Sequence, residues 1–209
     1  KQALKNTSKG DSFYIGYSAD KGEGNTLYTK TAIDEYEDEN GTVYNSWAAK
    51  LSSTNRTYDT IEDAVAEAND GDTLTISAGT HTITNAPLTI SKRINLVGAG
   101  ADKTTIVGTV KYQLAAVAED ANAALSVSDI NFTAGEDALQ GLVFTSTVNT
   151  KQYVDISVSD CSFNDWTYGI ALHSHVNGST LTVSGNEFNT WCGINFNQDT
   201  KTTGQIANN

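Results

Sequence analysis

Proline occurs once and methionine not at all, cysteine appears twice, and no apolar run approaches the length that crosses a bilayer. The amino end carries no signal-peptide pattern, and membrane insertion is not expected. The chain opens on Lys1, which leads us to expect a processed or excised piece of a longer polypeptide. Basic residues are also scarce: Lys and Arg number 13 against 25 Asp and Glu, a net charge of -12. Nucleic-acid binding needs clustered cations to displace counterions, so a nucleic-acid partner is not expected. The same negative field repels anionic polysaccharides unless a metal ion or a local basic patch intervenes, and neutral ligands suit it better. Cys161 and Cys192 are too few for a disulfide framework and lack zinc-ligand spacing. They read as buried free thiols rather than a structural bridge, and they leave the redox compartment open.

What the chain does have is glycine, 17 residues of it, with abundant Thr, Ser and Asn, the composition of a β-rich fold with many turns. Its 209 residues suffice for one substantial core or two small ones. A single helix is indicated over about 60–69, "TIEDAVAEAN". Thr60 can cap it, Glu62 and Asp63 suit its positive end, and Ile61, Ala64, Val65 and Ala68 share one face. Asn69-Asp70-Gly71 then offers residues that tolerate left-handed geometry.

Beyond that point three octets superpose without gaps: "LSVSDINF" at 125–132, "ISVSDCSF" at 156–163 and "LTVSGNEF" at 181–188. Each is followed by a Gly-aliphatic pair, Gly141-Leu142, Gly169-Ile170 or Gly193-Ile194. A constant octet with spacings of 31 and then 25 residues places the insertions in loops. Alternation turns Leu125, Val127, Ile156, Val158, Leu181 and Val183 inward, with Phe132, Phe163 and Phe188 inward again after a turn. No such unit closes a core alone, so stacking is required, and Val127, Val158 and Val183 should form one interior column. "LTIS" (74–77), "LTISKRINL" (88–96) and "TTIVG" (104–108) look like earlier, less regular rungs.

The tract "TYDTIEDAVAEANDGDTLTISAGTHTI" (57–83), with "SFYIGYSADKGEGN" upstream, resembles the amino-terminal cap and first rung of secreted bacterial right-handed parallel β-helix proteins of the pectate-lyase-like superfamily. The resemblance implies an all-β, right-handed parallel β-helix (solenoid) over 57–209 whose capping helix plugs one end of the apolar column. It implies a secreted or cell-surface setting, and it is nearly silent on activity. Residues 1–56 then form an elaboration packed on the cap, including a hairpin in "AIDEYEDENGTVYNSW" (32–47) turning at Asn40-Gly41. At the other end, Gln205-Ile206-Ala207-Asn208-Asn209 aligns with Thr182-Val183-Ser184-Gly185-Asn186. This rung is expected to be continued by further chain or covered by a partner, since open strand edges invite pairing.

Candidate chemistry is sparse. "FNDWTYGI" (163–170) and "FNTWCGI" (188–194) superpose Trp166 on Trp191 and, with one residue of slippage, Tyr168 on Cys192. Stacked indoles at one corner, with Tyr168 beside them, would give a sugar ring a flat platform; filling a wide corner of the core is the competing assignment. His173 and His175 share a strand face at i, i+2 and would contact a ligand together, although ordinary surface polarity explains them as well. No metal site is expected from them. The acidic run Asp34-Glu35-Tyr36-Glu37-Asp38-Glu39 lacks the ligand alternation and glycine of an EF-hand, so Ca²⁺ is unsupported, a solvated turn is expected, and no cofactor is assigned. Outward octet positions are Ser and Thr, Asp129 and Asp160 fall at turns, and no arginine follows Arg93, so the rungs offer no catalytic set. Sequons at Asn6, Asn40, Asn55, Asn131 and Asn177 are what this composition produces by chance.

The expectation is therefore an extracellular or cell-surface carbohydrate-binding or adhesive module with a polysaccharide or glycan partner. A fragment of a polysaccharide lyase or glycoside hydrolase would instead need paired carboxylates walled by loops near 109–123 and 145–152. A structural or self-assembling subunit would use its open end to dock another chain.

Overall fold

The computed structural model describes residues 35–37, 43–45, 47–118, 123–135, 138–147, 153–173, 179–197 and 202–209. The molecule is mostly β, with parallel sheets and one short helix among the described residues. Strand β1 (Glu35–Glu37) pairs antiparallel with β2 (Val43–Asn45), as the hairpin pattern predicts, with Tyr36 opposite Tyr44. Its expected turn at Asn40-Gly41 lies outside the described residues. The acidic run is corrected in part, because Glu35, Tyr36 and Glu37 belong to this strand and not to a turn.

Next come β3 (Ala49–Leu51), β4 (Thr57–Tyr58) and α1 (Ile61–Glu67). Thr60 caps α1 by accepting the Asp63 N–H at 3.1 Å, and Ile61, Ala64 and Val65 are its buried face. The helix closes at Ala68, a residue earlier than the periodicity suggested, and Lys92 Nζ donates to the carbonyls of Val65 and Ala66 at its last turn. A cation there complements the negative end of the peptide dipoles. Gly71 has φ +88°, a left-handed conformation at the exit from the helix.

From there the chain passes through three sheets in rotation. One circuit is β5 (Thr73–Ile76), β6 (Gly79–Thr82) and β7 (Leu88–Ile90). The next is β8 (Asn95–Val97), β9 (Thr104–Val107) and β10 (Val110–Leu114), and then β11 (Ala123–Ser128), β12 (Asn131–Thr133) and β13 (Gln140–Ser146). Two more follow: β14 (Val154–Ser159), β15 (Ser162–Asn164) and β16 (Tyr168–Leu172), then β17 (Thr180–Ser184), β18 (Glu187–Asn189) and β19 (Cys192–Phe196), with β20 (Thr203–Ala207) after them. The first sheet runs β20-β17-β14-β11-β8-β5-β3-β4, the second β18-β15-β12-β9-β6 and the third β19-β16-β13-β10-β7. Within these three sheets all pairings are parallel except those of β3, which lies antiparallel between β5 and the edge strand β4.

The expected column is present. Leu96, Val127, Val158 and Val183 occupy successive register positions and are completely buried, while Ile206, next in line, is 54% exposed. In the second sheet Phe132 stacks on Phe163 at 5.2 Å and Phe163 on Phe188 at 5.0 Å. Burying one such side chain contributes about 1.5–3 kcal/mol, so the repeat holds the rungs in register through its interior. A single hydrophobic cluster extends from Ala49 to Val183.

The turn between the first and second sheets is the most uniform element. In the last three circuits it has two residues, 129–130, 160–161 and 185–186, led by Asp129, Asp160 and Gly185 at φ +61°, +53° and +68°. Asn186, 4% exposed, accepts the Cys161 N–H and donates to the carbonyls of Val158 and Ser184. Asn209 repeats this one rung on, accepting the Asn186 N–H and donating to Val183 and Ala207. Side-chain amides here pair backbone groups that the turn would leave without partners.

Candidate ligand-binding site

The two tryptophans take different places. Trp166 is 2% exposed, and its indole Nε1 donates to the Phe132 carbonyl at 2.9 Å, so it is a core residue and cannot present a ring face to a ligand. Trp191 is 80% exposed. The cause is one residue of chain: three residues (165–167) join β15 to β16, with Asp165 left-handed at φ +66°, whereas two (190–191) join β18 to β19. The shorter corner has no residue left to turn the indole inward, although its backbone still follows the rung below, Trp191 N–H donating to Trp166 O at 3.2 Å. The expected superposition of Tyr168 on Cys192 holds in the strand register. Tyr168 instead meets Trp191 edge-on, ring centroids 5.9 Å apart and planes at 80°.

Space for the Trp166 ring is made by a glycine. A Cβ on Gly141 would lie 3.1 Å from indole atoms of Trp166, and one on Gly169 would lie 2.8 Å from a ring carbon of Phe188. At Gly141 and Gly169 an aromatic ring and the next glycine's carbonyl, both from the following rung, press on the backbone, while Gly193 meets Phe188 of its own rung.

Next to this corner a groove of about 540 Å³ opens on the outer side of the third sheet, with Thr109, Lys111, Leu139, Gln140, Val143 and His173 in its lining. Lys111 lies between the buried Val110 and Tyr112, so strand alternation places it outward. Tyr112 is held inside by its hydroxyl, which donates to Ile94 O at 2.9 Å, and burial pushes its phenol well above the usual range. Thr109 Oγ1 donates to Gln140 O at 2.7 Å, tying neighbouring rungs at the groove floor. The Tyr168 N–H donates to Leu139 O at 2.9 Å, and Leu139 is 62% exposed. One backbone hydrogen bond thus joins Leu139 of the groove lining to Tyr168, while Tyr168 and Trp191 stand outside that lining.

His173 joins the groove, its N–H donating to Phe144 O, while His175 lies outside the described residues. Lys111, Leu139 and Gln140 were not singled out in the sequence. Alternation marks Lys111 as outward, but only the loops at 86–87 and 138–139 convert that face into a concavity. Among the described residues no group of three His, Cys, Asp or Glu is placed to hold a metal ion, and no helix is long and apolar enough to cross a membrane. Both cysteines are free thiols. Cys161 is buried, and burial pushes its thiol up to about 12, which leaves it inert; Cys192 is half-buried.

No family model, curated protein or solved structure matches this chain.

Proposed function

We propose that the three parallel sheets are the faces of a right-handed parallel β-helix of the pectate-lyase-like kind, capped by α1, and that it serves as an extracellular or cell-surface carbohydrate-binding module. The rotation of the chain through three sheets and the continuous interior column support the architecture. The setting outside the cell comes with the resemblance of the 57–83 tract. The function is carried by one observation: Trp191 stands 80% exposed against Tyr168, which is one backbone hydrogen bond from Leu139 in the lining of a groove that also carries hydroxyl, amide, imidazole and ammonium groups. Indole and phenol rings pack against the C–H faces of sugars, and neighbouring polar groups contact the hydroxyls. Rungs lie about 4.8 Å apart, so a ligand that touches both the groove and the Trp191 corner has to be an extended one.

A glycan array probed with the chain and with Trp191→Ala tests the reading. Glycan binding that falls at least about tenfold in Trp191→Ala, one strong contact's worth, is the expected result. Binding unaffected by this substitution, or no glycan bound at all, would sink it. Trp166→Ala is not the equivalent probe, because it removes a core ring.

A further inference from the structure

The two edges of the first sheet differ. One edge strand is β4, two residues long and flanked by Arg56 and Asp59, and short edges with charges beside them resist pairing with another chain. The other is β20, five residues without a charged side chain, and β18 and β19 end their own sheets on the same side of the stack. Interior columns stop there in half-exposed side chains. Tyr112, Phe144 and Leu172 are completely buried in successive register positions, whereas Phe196, next in line, is 48% exposed, as Ile206 is at the end of the valine column. Among the described residues from 179 onward Glu187 is the one charged side chain, in a chain of net charge -12. A second copy therefore meets little of its own negative field at this face.

The fit of β20 to itself identifies the occupant. Antiparallel self-pairing that uses all five residues puts Gln205 on a two-fold axis, Thr203 opposite the partner's Ala207 and Gly204 opposite the partner's Ile206. Opposed residues share a face, so Gly204 and Ile206, which continue the inward positions of Leu181 and Val183, stay on the inner side. Earlier rungs carry Leu125, Ile156 and Leu181 where β20 has Gly204. Each strand thus leaves room where the other supplies a branched side chain.

We infer that two copies of this chain pair through β20 in a closed two-fold dimer, which β4 is too short to extend into a filament. The inference does not rest on the glycan-binding reading. Light scattering on the full chain across about 1 μM to 1 mM tests it, with Ile206→Gln, Gln205→Glu and Thr203→Glu alongside. Circular dichroism should show all three variants folded, since these side chains are exposed. The mass is expected to rise from monomer to dimer and stop there. Amides of β20, which have a strand on one side only in the monomer, should gain protection over the same range. Ile206→Gln should weaken association at least about tenfold, the worth of one buried aliphatic side chain. Both glutamates add one negative charge to the strand, but only Gln205→Glu sets like charges directly opposite, so it should weaken association about threefold to fivefold more than Thr203→Glu. Equal weakening by the two glutamates, association that Ile206→Gln leaves untouched, or growth past the dimer overturns the inference. A chain that is monomeric throughout also overturns it and leaves the β20 edge to an unlike strand.

Discussion

Trp191 and Trp166 make opposite predictions from the same residue type. Trp191→Ala should change stability by no more than about 0.5 kcal/mol, as exposed substitutions do. Trp166→Ala should cost about 3–5 kcal/mol, because a filled corner empties and the Phe132 carbonyl loses its donor. Urea unfolding of both variants checks this, and equal losses would contradict the corner geometry. Gly169→Ala should cost about 1–3 kcal/mol in the same assay, since the added methyl meets both Gly193 O and the Phe188 ring at 2.8 Å. The sequence displays the two Trp-bearing corners as a repeat, and the repeat is real in strand register. What it conceals is that "FNDWTYGI" and "FNTWCGI" differ by one corner residue, where the two-residue strand period no longer applies. A corner residue has no fixed face, so its exposure follows from turn length and from which glycine below leaves room.

Among the elements, the join between α1 and the first circuit turns on Asp72. This buried carboxylate accepts the Asn69 N–H at 2.7 Å and hydroxyls from Ser53 and Ser52, linking the end of α1 and the β3–β4 turn to β5. The backbone N–H of Asn69, then the serine hydroxyls, hold it below its ordinary value of 3.8 despite burial. A depressed carboxyl stabilises the fold at pH above its unfolded value, and that contribution is lost as pH falls through the folded one. Asp72→Asn should therefore be less stable than the parent at pH 7, and the gap should narrow below about pH 4. Unfolding midpoints across pH 2–7, measured at about half-unit intervals, would show it. Thr60→Ala should remove about 1 kcal/mol through the lost cap. Helix α1 was legible because its cap, acidic first turn and apolar stripe are all local. The pairing of β3 with β5 was not, since two short strands more than twenty residues apart carry no local signal of partnership.

At the scale of the molecule, stability should be graded along the stack. Amides of β11 and β14, with a parallel neighbour on each side and fully buried valines, should exchange slowest, and those of β20 fastest. Hydrogen exchange read strand by strand is the measurement, and a uniform rate would argue against rung-by-rung support. The later circuits carry a strict octet, which makes the valine column legible in the sequence. The earlier ones are short, and Gly98 sits so near Asp129 that a Cβ would lie 2.0 Å from its carbonyl oxygen, so close contact replaces the octet there.

The two-residue turn led by Asp129, Asp160 and Gly185 recurs unchanged, whereas the other corners of the same circuits range from two residues, at 190–191, to seven, at 147–153 and 173–179. Over the last three circuits one edge therefore behaves as a uniform spine and the other two as tolerant flanks. New peptide could be grafted into the flanks, or acquired there over evolutionary time, without disturbing the alignment that the spine maintains.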